Sequence, residues 1–236
     1  SLYVNGQKVE GDVEIPEGIT TIGPYAFHKQ SEITSVKIPS GVTTIQSSAF
    51  YACMQLTKVI LPNTLTQIDS SAFGSCTSLK SINIPEGVKK VGMQAFMGAG
   101  LVEVRIPTTM TYVDGYAFGC ENLKQVIYGG TEEDWNAITI IATNNGSFKA
   151  AYRVYSSELP EGLEFKLNEE GTGYRIVGYY GENDRLEVPN AIGVFPVTEI
   201  GEYAFSNNRI LEEIVLHKNL IKIGGNAFYN CSELSK

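Results

Sequence analysis

A short alternation of apolar and polar residues recurs along the chain and predicts a repeated β-strand. In the stretch ITSVKIP, Val36 and Ile38 are apolar and Lys37 between them is charged. Successive residues of a strand point to opposite faces, so Val36 and Ile38 would face a core while Lys37 faces outward. The same form, L-x-x-V-x-I, returns as LTKVILP, LKSINIP, LVEVRIP and LKQVIY, and later as LEEIVLH.

Two further markers keep a constant phase with these strands. Phenylalanine stands at positions 27, 50, 73, 96 and 118, with spacings of 23, 23, 23 and 22 residues, and again at 205 and 228, with a spacing of 23. Proline stands 11 residues before each of the first five phenylalanines. A fixed period of this length is typical of a repeat protein in which each copy forms one coil.

Each copy therefore predicts one turn of a solenoid. Pro16 ends a strand because it cannot donate to a sheet ladder, Gly18 starts a turn, and Ile19 and Ile22 return to the core. The Ala-Phe pair would lie on a short helical turn or a second strand on the opposite side, and the seven phenylalanines would stack in columns within two arrays. The predicted fold class is a leucine-rich repeat solenoid of the α/β horseshoe class, rich in β-structure, with one short parallel strand per coil of about 23 residues.

Residues 129–185 interrupt the period. In YGGTEEDWNAI, Thr131 can cap a helix with an acidic first turn, and Trp135 and Ile138 share a face that would cover the end of the first array. The segment GLEFKLNEEGTGYRIVGYY alternates around a Gly-rich turn and predicts a β-hairpin. We expect three parts: a first leucine-rich repeat array at 1–128, a capping and linking segment with a short helix at 129–160, and the hairpin with the start of a second array at 161–236.

The charge balance narrows the range of partners. The 236 residues carry a formal net charge of −8, with a pI near 4.9. A nucleic-acid backbone needs a basic binding surface, so the composition argues against that partner. No apolar run approaches the roughly 18 residues of a membrane helix, and we expect no membrane insertion within this segment. Because the chain opens with Ser1 and stops inside a repeat, we expect a piece of a longer protein whose ends hold any export signal and anchor.

The repeat resembles a known family. The string IP-x-G-V-T-x-I-x-x-x-AF-x-x-C-x-x-L-x-x-V-x-I-P is similar to the BspA-like, Treponema pallidum-type leucine-rich repeat of surface proteins from gut and oral anaerobic bacteria, and the resemblance covers nearly the whole chain. It implies export, display at the cell surface or secretion, and binding to host matrix proteins or other microbes. It implies no cofactor and brings no catalytic residue to this chain. The sequence departs from the pattern at His217, which replaces the strand-end proline.

The residues themselves offer little catalytic or metal-binding chemistry. The sequence has two histidines, His28 and His217, and it contains neither a C-x-x-C pair nor a calcium-binding loop. GTGYRIVG has Ile176 where a dinucleotide fingerprint needs its third glycine. We therefore predict a chain that is not an enzyme and that binds no cofactor and no metal.

Four cysteines occupy one position of the repeat, shifted by one residue in the shortened coil: Cys53, Cys76, Cys120 and Cys231. Neighbouring coils would bring Cys53 and Cys76 within about 5 Å of each other. Their side chains would point in parallel, however, which keeps the Cβ atoms too far apart for the usual disulfide geometry. Buried free thiols are the preferred interpretation, and a single bridge between Cys53 and Cys76 is the alternative.

The outward side of the predicted sheet is the candidate binding surface. Of fifteen outward or edge positions in the first array, five are basic and one is acidic. The candidate partner-binding residues are Lys37, Lys58, Ile60, Lys80, Asn83, Glu103, Arg105, Lys124 and Ile127. Two interpretations stay open: a mildly basic strip that binds a protein, or lysines that simply limit aggregation of the sheet.

Two functions of different classes fit these features. The first is a non-enzymatic protein-binding module of a bacterial cell-surface or secreted protein, which adheres to host extracellular proteins or to surface proteins of other microbes. The second is a spacer or stalk that displays another domain. Solenoids expose long surfaces suited to protein partners, so the adhesion module is preferred. The sequence leaves the ligand and the oligomeric state open.

Overall fold

The computed structural model describes Tyr3–Val4, Gln7–Lys8 and residues 10–235. The chain divides into two compact units, Ser1–Ser157 and Glu158–Lys236. In each unit short parallel strands from successive coils pair side by side. The predicted solenoid of short parallel strands is therefore confirmed.

Fifteen strands and two short helices are described in the first unit. In chain order they are β1 Tyr3–Val4, β2 Gln7–Lys8, β3 Gly11–Glu14, β4 Thr21–Ile22, β5 Ile33–Lys37, β6 Thr44–Ile45, β7 Lys58–Ile60, β8 Gln67–Ile68, β9 Ser81–Asn83, β10 Lys90–Val91, β11 Glu103–Ile106, β12 Tyr112–Val113, β13 Gln125–Tyr128, α1 Glu132–Asn136, β14 Thr139–Ile140, α2 Gly146–Ala150 and β15 Tyr152–Tyr155. A 3-10 helix, Ser156–Glu158, follows.

These strands form parallel sheets on two sides of the coils. On one side β3, β5 and β7 form a three-stranded sheet and β9, β11, β13 and β15 form a four-stranded sheet, with β7 in contact with β9, and we call this side the first sheet. On the other side β4, β6, β8, β10, β12 and β14 form a six-stranded sheet, the second sheet. Strands β1 and β2 form a separate antiparallel pair. Of the two predicted alternatives for the far side of each coil, the second strand forms, and the Ala-Phe pair lies in the turn that follows it.

The apolar positions of the repeat form the core, with one exception. Val36 and Ile38 are buried and Lys37 is exposed, as the alternation predicts. Ile22 is also buried, but the prediction that Ile19 returns to the core is wrong, because 39% of Ile19 is exposed. Its counterpart Val42 is fully buried because a coil lies on either side of it, whereas Ile19 belongs to the first coil of the series.

The predicted phenylalanine columns are present. In the first unit the rings of Phe27, Phe50, Phe73, Phe96 and Phe118 follow one another with centroids 4.9, 5.2, 5.4 and 5.2 Å apart and planes within 4° of parallel. These separations exceed the about 3.5–4.0 Å of direct face contact, so the rings are offset-stacked, a favoured aromatic geometry. The column is the continuous centre of the core.

A ladder of backbone hydrogen bonds also runs along the Ala-Phe turns. In the first turn the N–H groups of Tyr25, Phe27 and Lys29 donate to carbonyl oxygens of the next coil at 3.1, 2.7 and 2.8 Å. Tyr25 and Lys29 hold φ angles of 59° and 58°, in the left-handed region, and the turns built around Phe50 and Phe73 repeat this geometry. A left-handed conformation costs about 1–2 kcal/mol per residue outside glycine, and the ladder offsets that cost. We call this feature the turn ladder.

The segment after Tyr128 continues the solenoid as an irregular sixth coil. Strand β14 pairs with β12 in the second sheet, and β15 pairs with β13 in the first. Phe148 of α2 stacks on Phe118 at 4.5 Å and extends the column. The predicted short helix is confirmed as α1, where Thr131 and Asp134 form a capping box and Trp135 is buried.

The second unit contains the predicted hairpin and the restart of the repeat. Its strands are β16 Leu163–Leu167, β17 Tyr174–Tyr179, β18 Arg185–Glu187, β19 Ala191–Ile192, β20 Phe195–Ile200, β21 Glu213–Val215 and β22 Lys222–Ile223. The hairpin pairs β16 with β17, and β17 then pairs in parallel with β20. The long spacing of 16 residues between Pro189 and Phe205 is explained by a small hairpin of β19 and β20 that turns at Gly193.

Gly100 marks the point where the fourth coil is one residue shorter than its predecessors. A Cβ atom at this position would overlap the backbone carbonyl oxygen of Thr77 in the preceding coil. We expect Gly100→Ala to lower the free energy of unfolding by about 1–3 kcal/mol or more, measured as a lower urea midpoint. Gly23→Ala is the control, because a Cβ at Gly23 meets open space, and its effect should stay within about 0.5 kcal/mol. Equal stabilities of the two variants would contradict the close approach.

Candidate binding surface

Strand register places the outward residues of the first sheet in two parallel rows. One row contains Asp12, Ser35 and Lys58, and the 23-residue period of the sequence continues it as Ser81, which is in register with Glu103 and Gln125. The other contains Glu14, Lys37 and Ile60 and continues as Asn83, Arg105 and Ile127. We call the exposed part of these rows, from β3 to β9, the sheet face.

The nine candidate residues do not all reach solvent. Lys37, Lys58, Ile60, Asn83 and Lys124 are exposed, Lys80 and Arg105 are half-buried, and Glu103 and Ile127 are buried. The prediction that Glu103 and Ile127 are accessible to a partner is therefore wrong, because both residues are buried. The structure brings Lys37, Lys58, Ile60 and Asn83 together on adjacent strands, and Lys80 stands one residue before β9.

The two buried residues are held by neighbours in the sheet. Only 2% of Glu103 is exposed; its carboxylate lies 3.6 Å from Nε of Arg105 and accepts a hydrogen bond from the Gln125 amide at 3.4 Å. Ile127 lies beside Val154 of β15, a buried apolar residue on a strand that the sequence analysis did not predict. Apolar neighbours on one face of a sheet pack against each other.

Acidic residues of β3 reduce the positive charge at the first edge of the sheet face. Glu14 lies 3.4 Å from Nζ of Lys37, and both side chains are exposed. Asp12 accepts hydrogen bonds from Ser35 and Thr34, which lower the pKa of its carboxyl group, and the charge of Lys58 lowers it further. The sequence analysis left Asp12 out of the face, although its place one residue before Val13 gives it the alternation of a strand.

The centre of the sheet face combines an apolar side chain with unpaired positive charge. Ile60 is 44% exposed and is flanked in register by Lys37. Lys58, two residues earlier on the same strand, points to the same side. Among the described residues no ion pair is formed by Lys58, Lys80 or Lys124. Such a centre can contact an apolar spot on a partner and attract acidic groups around it.

A groove of about 280 Å³ opens where the strands of the first sheet end. It is lined by Asn83, Arg105 and Ile127 together with the strand-end residues Pro85 and Pro107. The prolines recur because a strand must stop at the same height in each coil, and this repetition shapes the groove. The sequence analysis predicted these prolines as strand ends but not the groove that they form.

The cysteines are free, as the preferred interpretation predicts, and share one contact. Each thiol approaches the carbonyl oxygen of the phenylalanine in the preceding coil, at 3.1 Å for Cys53 and Phe27 and at 3.2 Å for Cys76 and Phe50. Cys120 and Cys231 repeat the contact at 3.0 Å. The thiols therefore satisfy a turn carbonyl and fill the core as small side chains.

Burial makes the thiols of Cys53, Cys76 and Cys120 poor nucleophiles. It raises the pKa of Cys53 to about 11 and that of Cys120 to about 12, against about 8.5 for a free thiol. We expect Cys53, Cys76 and Cys120 to be labelled slowly by iodoacetamide at pH 8 in the native state and all four thiols to be labelled rapidly in urea. The unfolded chain releases these protons first, so the free energy of unfolding should be unaffected below pH 8.5 and fall as pH rises through 11. Rapid native labelling of Cys53 would contradict this burial.

The described residues bring together no metal-binding group. Within residues 10–235 and the two short N-terminal strands, no three His, Cys, Asp or Glu side chains are placed to hold a metal ion. In the same part of the chain, no helix combines the length and the apolar character needed to cross a membrane.

Comparison with known proteins connects this architecture to one family. A family model described as the BspA type leucine rich repeat region matches six copies, over residues 6–132 and 189–236. No protein with a curated description matches the sequence significantly.

Several solved bacterial structures are similar to this chain. A leucine rich cell surface protein from Faecalibacterium prausnitzii A2-165 is 28% identical with a TM-score of 0.52, and the match covers 95% of this chain and 59% of that one. The T. pallidum leucine-rich repeat protein is 21% identical with a TM-score of 0.49, over 97% and 80% of the two chains. The pneumococcal vaccine antigen PcpA is 19% identical with a TM-score of 0.46, over 99% and 61%. The chain thus spans less than two thirds of the F. prausnitzii protein, and it belongs to the BspA-type leucine-rich repeat family.

Proposed function

We propose that this chain is the protein-binding module of a bacterial cell-surface protein and that its sheet face adheres to host extracellular proteins or to surface proteins of other microbes. Membership of a leucine-rich repeat family supports a role in protein interaction, and the F. prausnitzii protein that it resembles is described as a cell surface protein. A solenoid suits this role because it holds a long surface rigid without a ligand.

The exposure of Ile60 at the centre of the sheet face carries the proposal. Protein interfaces typically contain an apolar centre surrounded by a polar rim. Ile60 supplies such a centre, and Lys37, Lys58 and Asn83 supply the rim. If the lysines served only to limit aggregation, a polar residue in place of Ile60 would serve the sheet better.

Charge indicates the kind of protein that fits. Lys58 lies on the sheet face, and Lys80 precedes β9 beside it, in a chain whose formal net charge is −8. Their positive charges would be matched by acidic side chains or by the negatively charged sugars of a mucin. Because such contacts are partly exposed, the affinity should fall as salt concentration rises.

A binding screen followed by a double substitution tests the proposal. The purified chain is passed over immobilised matrix glycoproteins, mucin and bacterial surface proteins, and the affinity for each ligand is measured by surface plasmon resonance. For a ligand that binds, Lys58→Glu with Ile60→Asp should weaken binding about 30-fold or more, since central interface residues each contribute about 2 kcal/mol.

A matched control separates the sheet face from the general effect of charge. Lys89→Glu with Met93→Asp makes the same charge change at an exposed lysine and an exposed apolar residue near the second sheet. This variant should bind as the wild type does. If the Lys58 and Ile60 variant also binds normally, the sheet face is not the site, and if no ligand of the panel binds, the chain acts as a spacer.

A further inference from the structure

The second unit contains a groove of about 630 Å³ that the proposed function does not use. Its walls are residues 177–182, at the end of β17, and residues 203–210, in the turn that carries Phe205. The volume falls within the about 300–1,000 Å³ typical of small-ligand sites. Both aromatic side chains and polar groups line the groove.

A buried hydroxyl group in this groove has no hydrogen-bond partner. Tyr179 lines the groove and is 7% exposed, and its phenol oxygen is buried and unpaired among the described residues. The ring packs at 6.0 Å from Phe205, and Gly181 leaves room for the phenol group where any Cβ would overlap it. Leaving a buried hydroxyl unpaired is unfavourable, so a ligand that displaces the atoms covering this hydroxyl would gain a hydrogen bond from it.

Backbone acceptors on the same wall are also unoccupied. In the first unit, the carbonyl groups of Ala49 and Tyr51 accept the turn-ladder hydrogen bonds of the preceding coil. The corresponding carbonyl groups in the second unit belong to Ala204 and Ser206, and no hydrogen bond between described residues uses them. Both residues line the groove. The wall therefore presents acceptors that need donors from a ligand.

Two tyrosine rings form the more open part of the groove. Tyr180 is 77% exposed and Tyr203 is 54% exposed. Each is oriented by one hydrogen bond, because the Tyr180 hydroxyl donates to Glu164 at 3.4 Å and the Tyr203 hydroxyl accepts from the Asn226 amide at 3.1 Å. Rings held in this way offer flat apolar faces beside polar groups.

Hydroxyl-rich ligands fit this groove better than peptides do. A peptide that reproduced the turn ladder would need left-handed residues, as at Tyr25 and Lys29 in the first turn, at about 1–2 kcal/mol each. A sugar carries several hydroxyl donors without that requirement, and its C–H faces can lie on tyrosine rings. The residues that line the groove include one acid, Glu182, and one base, Arg209.

From these contacts we propose that the groove binds a neutral glycan. Sugar hydroxyl groups donate to the carbonyl oxygens of Ala204 and Ser206 and pair with the Tyr179 hydroxyl, and a sugar ring lies on Tyr180. The glycan is either a free oligosaccharide or a chain on a glycoprotein, since both present the same groups. The site is independent of the sheet face.

A sugar titration tests the proposal. Lactose, chitotriose, maltotriose and xylotriose are each added to the full chain, and binding is monitored by saturation-transfer NMR. At least one of these sugars should bind the wild type. Tyr179→Phe keeps the ring on Phe205 and should weaken binding about 3- to 10-fold, while thermal stability is kept or raised. Tyr180→Ala should weaken binding about fivefold or more. Tyr25→Ala, at an exposed tyrosine of the first unit, is the control and should bind normally.

Mucin with and without its O-linked glycans distinguishes the sources and the competing ligand class. If intact mucin displaces a bound free sugar, the groove accepts glycans of either source. If the free sugar binds and mucin does not displace it, the groove accepts free oligosaccharides alone. Three results would overturn the proposal: no binding of any of the four sugars at about 5 mM, full binding by the Tyr179 and Tyr180 variants, or equal displacement of the bound sugar by intact and by deglycosylated mucin, which would indicate a peptide ligand in the groove.

Discussion

Replacing Phe73 with alanine is expected to lower the free energy of unfolding by about 3–5 kcal/mol. The ring is fully buried at the middle of the column and stacks on Phe50 at 5.2 Å and on Phe96 at 5.4 Å. Its removal leaves a cavity between two coils that the turn ladder and both sheets hold at a fixed spacing. The surrounding chain therefore cannot close the cavity, and the effect should lie near the top of the range. Urea denaturation followed by circular dichroism measures it.

A matched substitution at the end of the column sharpens this prediction. Phe27 belongs to the same column but stacks on one described phenylalanine, Phe50, and its side chain retains some exposure. Phe27→Ala should therefore cost less than Phe73→Ala by about 1 kcal/mol or more, since its site can partly relax. Equal losses would show that the column does not act as the continuous centre of the core.

The second large effect is expected at Asn145, which is fully buried at the end of the turn ladder. Its Oδ1 accepts the Phe118 N–H at 3.0 Å, and its Nδ2 donates to the carbonyl oxygens of Asp114 and Ile141 at 2.7 and 2.8 Å. The side chain takes the place that a backbone carbonyl occupies in the earlier coils. Asn145→Ala would leave the Phe118 N–H unpaired in the core and would remove a partner from the Ile141 carbonyl, at about 1–3 kcal/mol each, whereas the Asp114 carbonyl keeps its hydrogen bond from the Ala117 N–H at 3.2 Å.

We therefore expect Asn145→Ala to lower the free energy of unfolding by about 3 kcal/mol or more. Asn136→Ala, at an exposed position of α1, is the control and should change it by less than about 0.5 kcal/mol. Hydrogen exchange adds a local measurement, because the Phe118 amide should exchange much faster in the Asn145 variant. An unchanged exchange rate at Phe118 would contradict the role of Asn145 as the last acceptor of the ladder.

The repeated elements could be predicted because each is specified by residues of its own coil. The alternation of Val36, Lys37 and Ile38 determines which side of a strand is buried, and the spacing of the phenylalanines determines the column. The same local information predicted helix α1, since Thr131 carries its capping signal within the segment. Neighbouring copies repeat this information, so a wrong assignment made from one coil can be recognised by comparing it with the other coils.

Other features depend on contacts between coils and could not be predicted from one copy. Asn145 lies in a stretch that breaks the period, and its role appears only when Phe118 and Asp114 are brought beside it. The left-handed turns carry serine, tyrosine or alanine at positions such as Ser71 and Ala52, where glycine would have been the signal. For the same reason the outward position of Glu103 predicted exposure, whereas Arg105 and Gln125 hold it in the buried part of the sheet.

Lysine footprinting of a complex tests the central claim most directly. The chain is acetylated under mild conditions, alone and with a matrix protein or mucin that binds it, and each lysine is quantified by mass spectrometry. The account predicts that the ligand protects Lys37, Lys58 and Lys80 on the first sheet and leaves Lys89 and Lys90 near the second sheet unchanged. Equal protection of the two groups, or protection of Lys89 and Lys90 alone, would contradict binding through the sheet face.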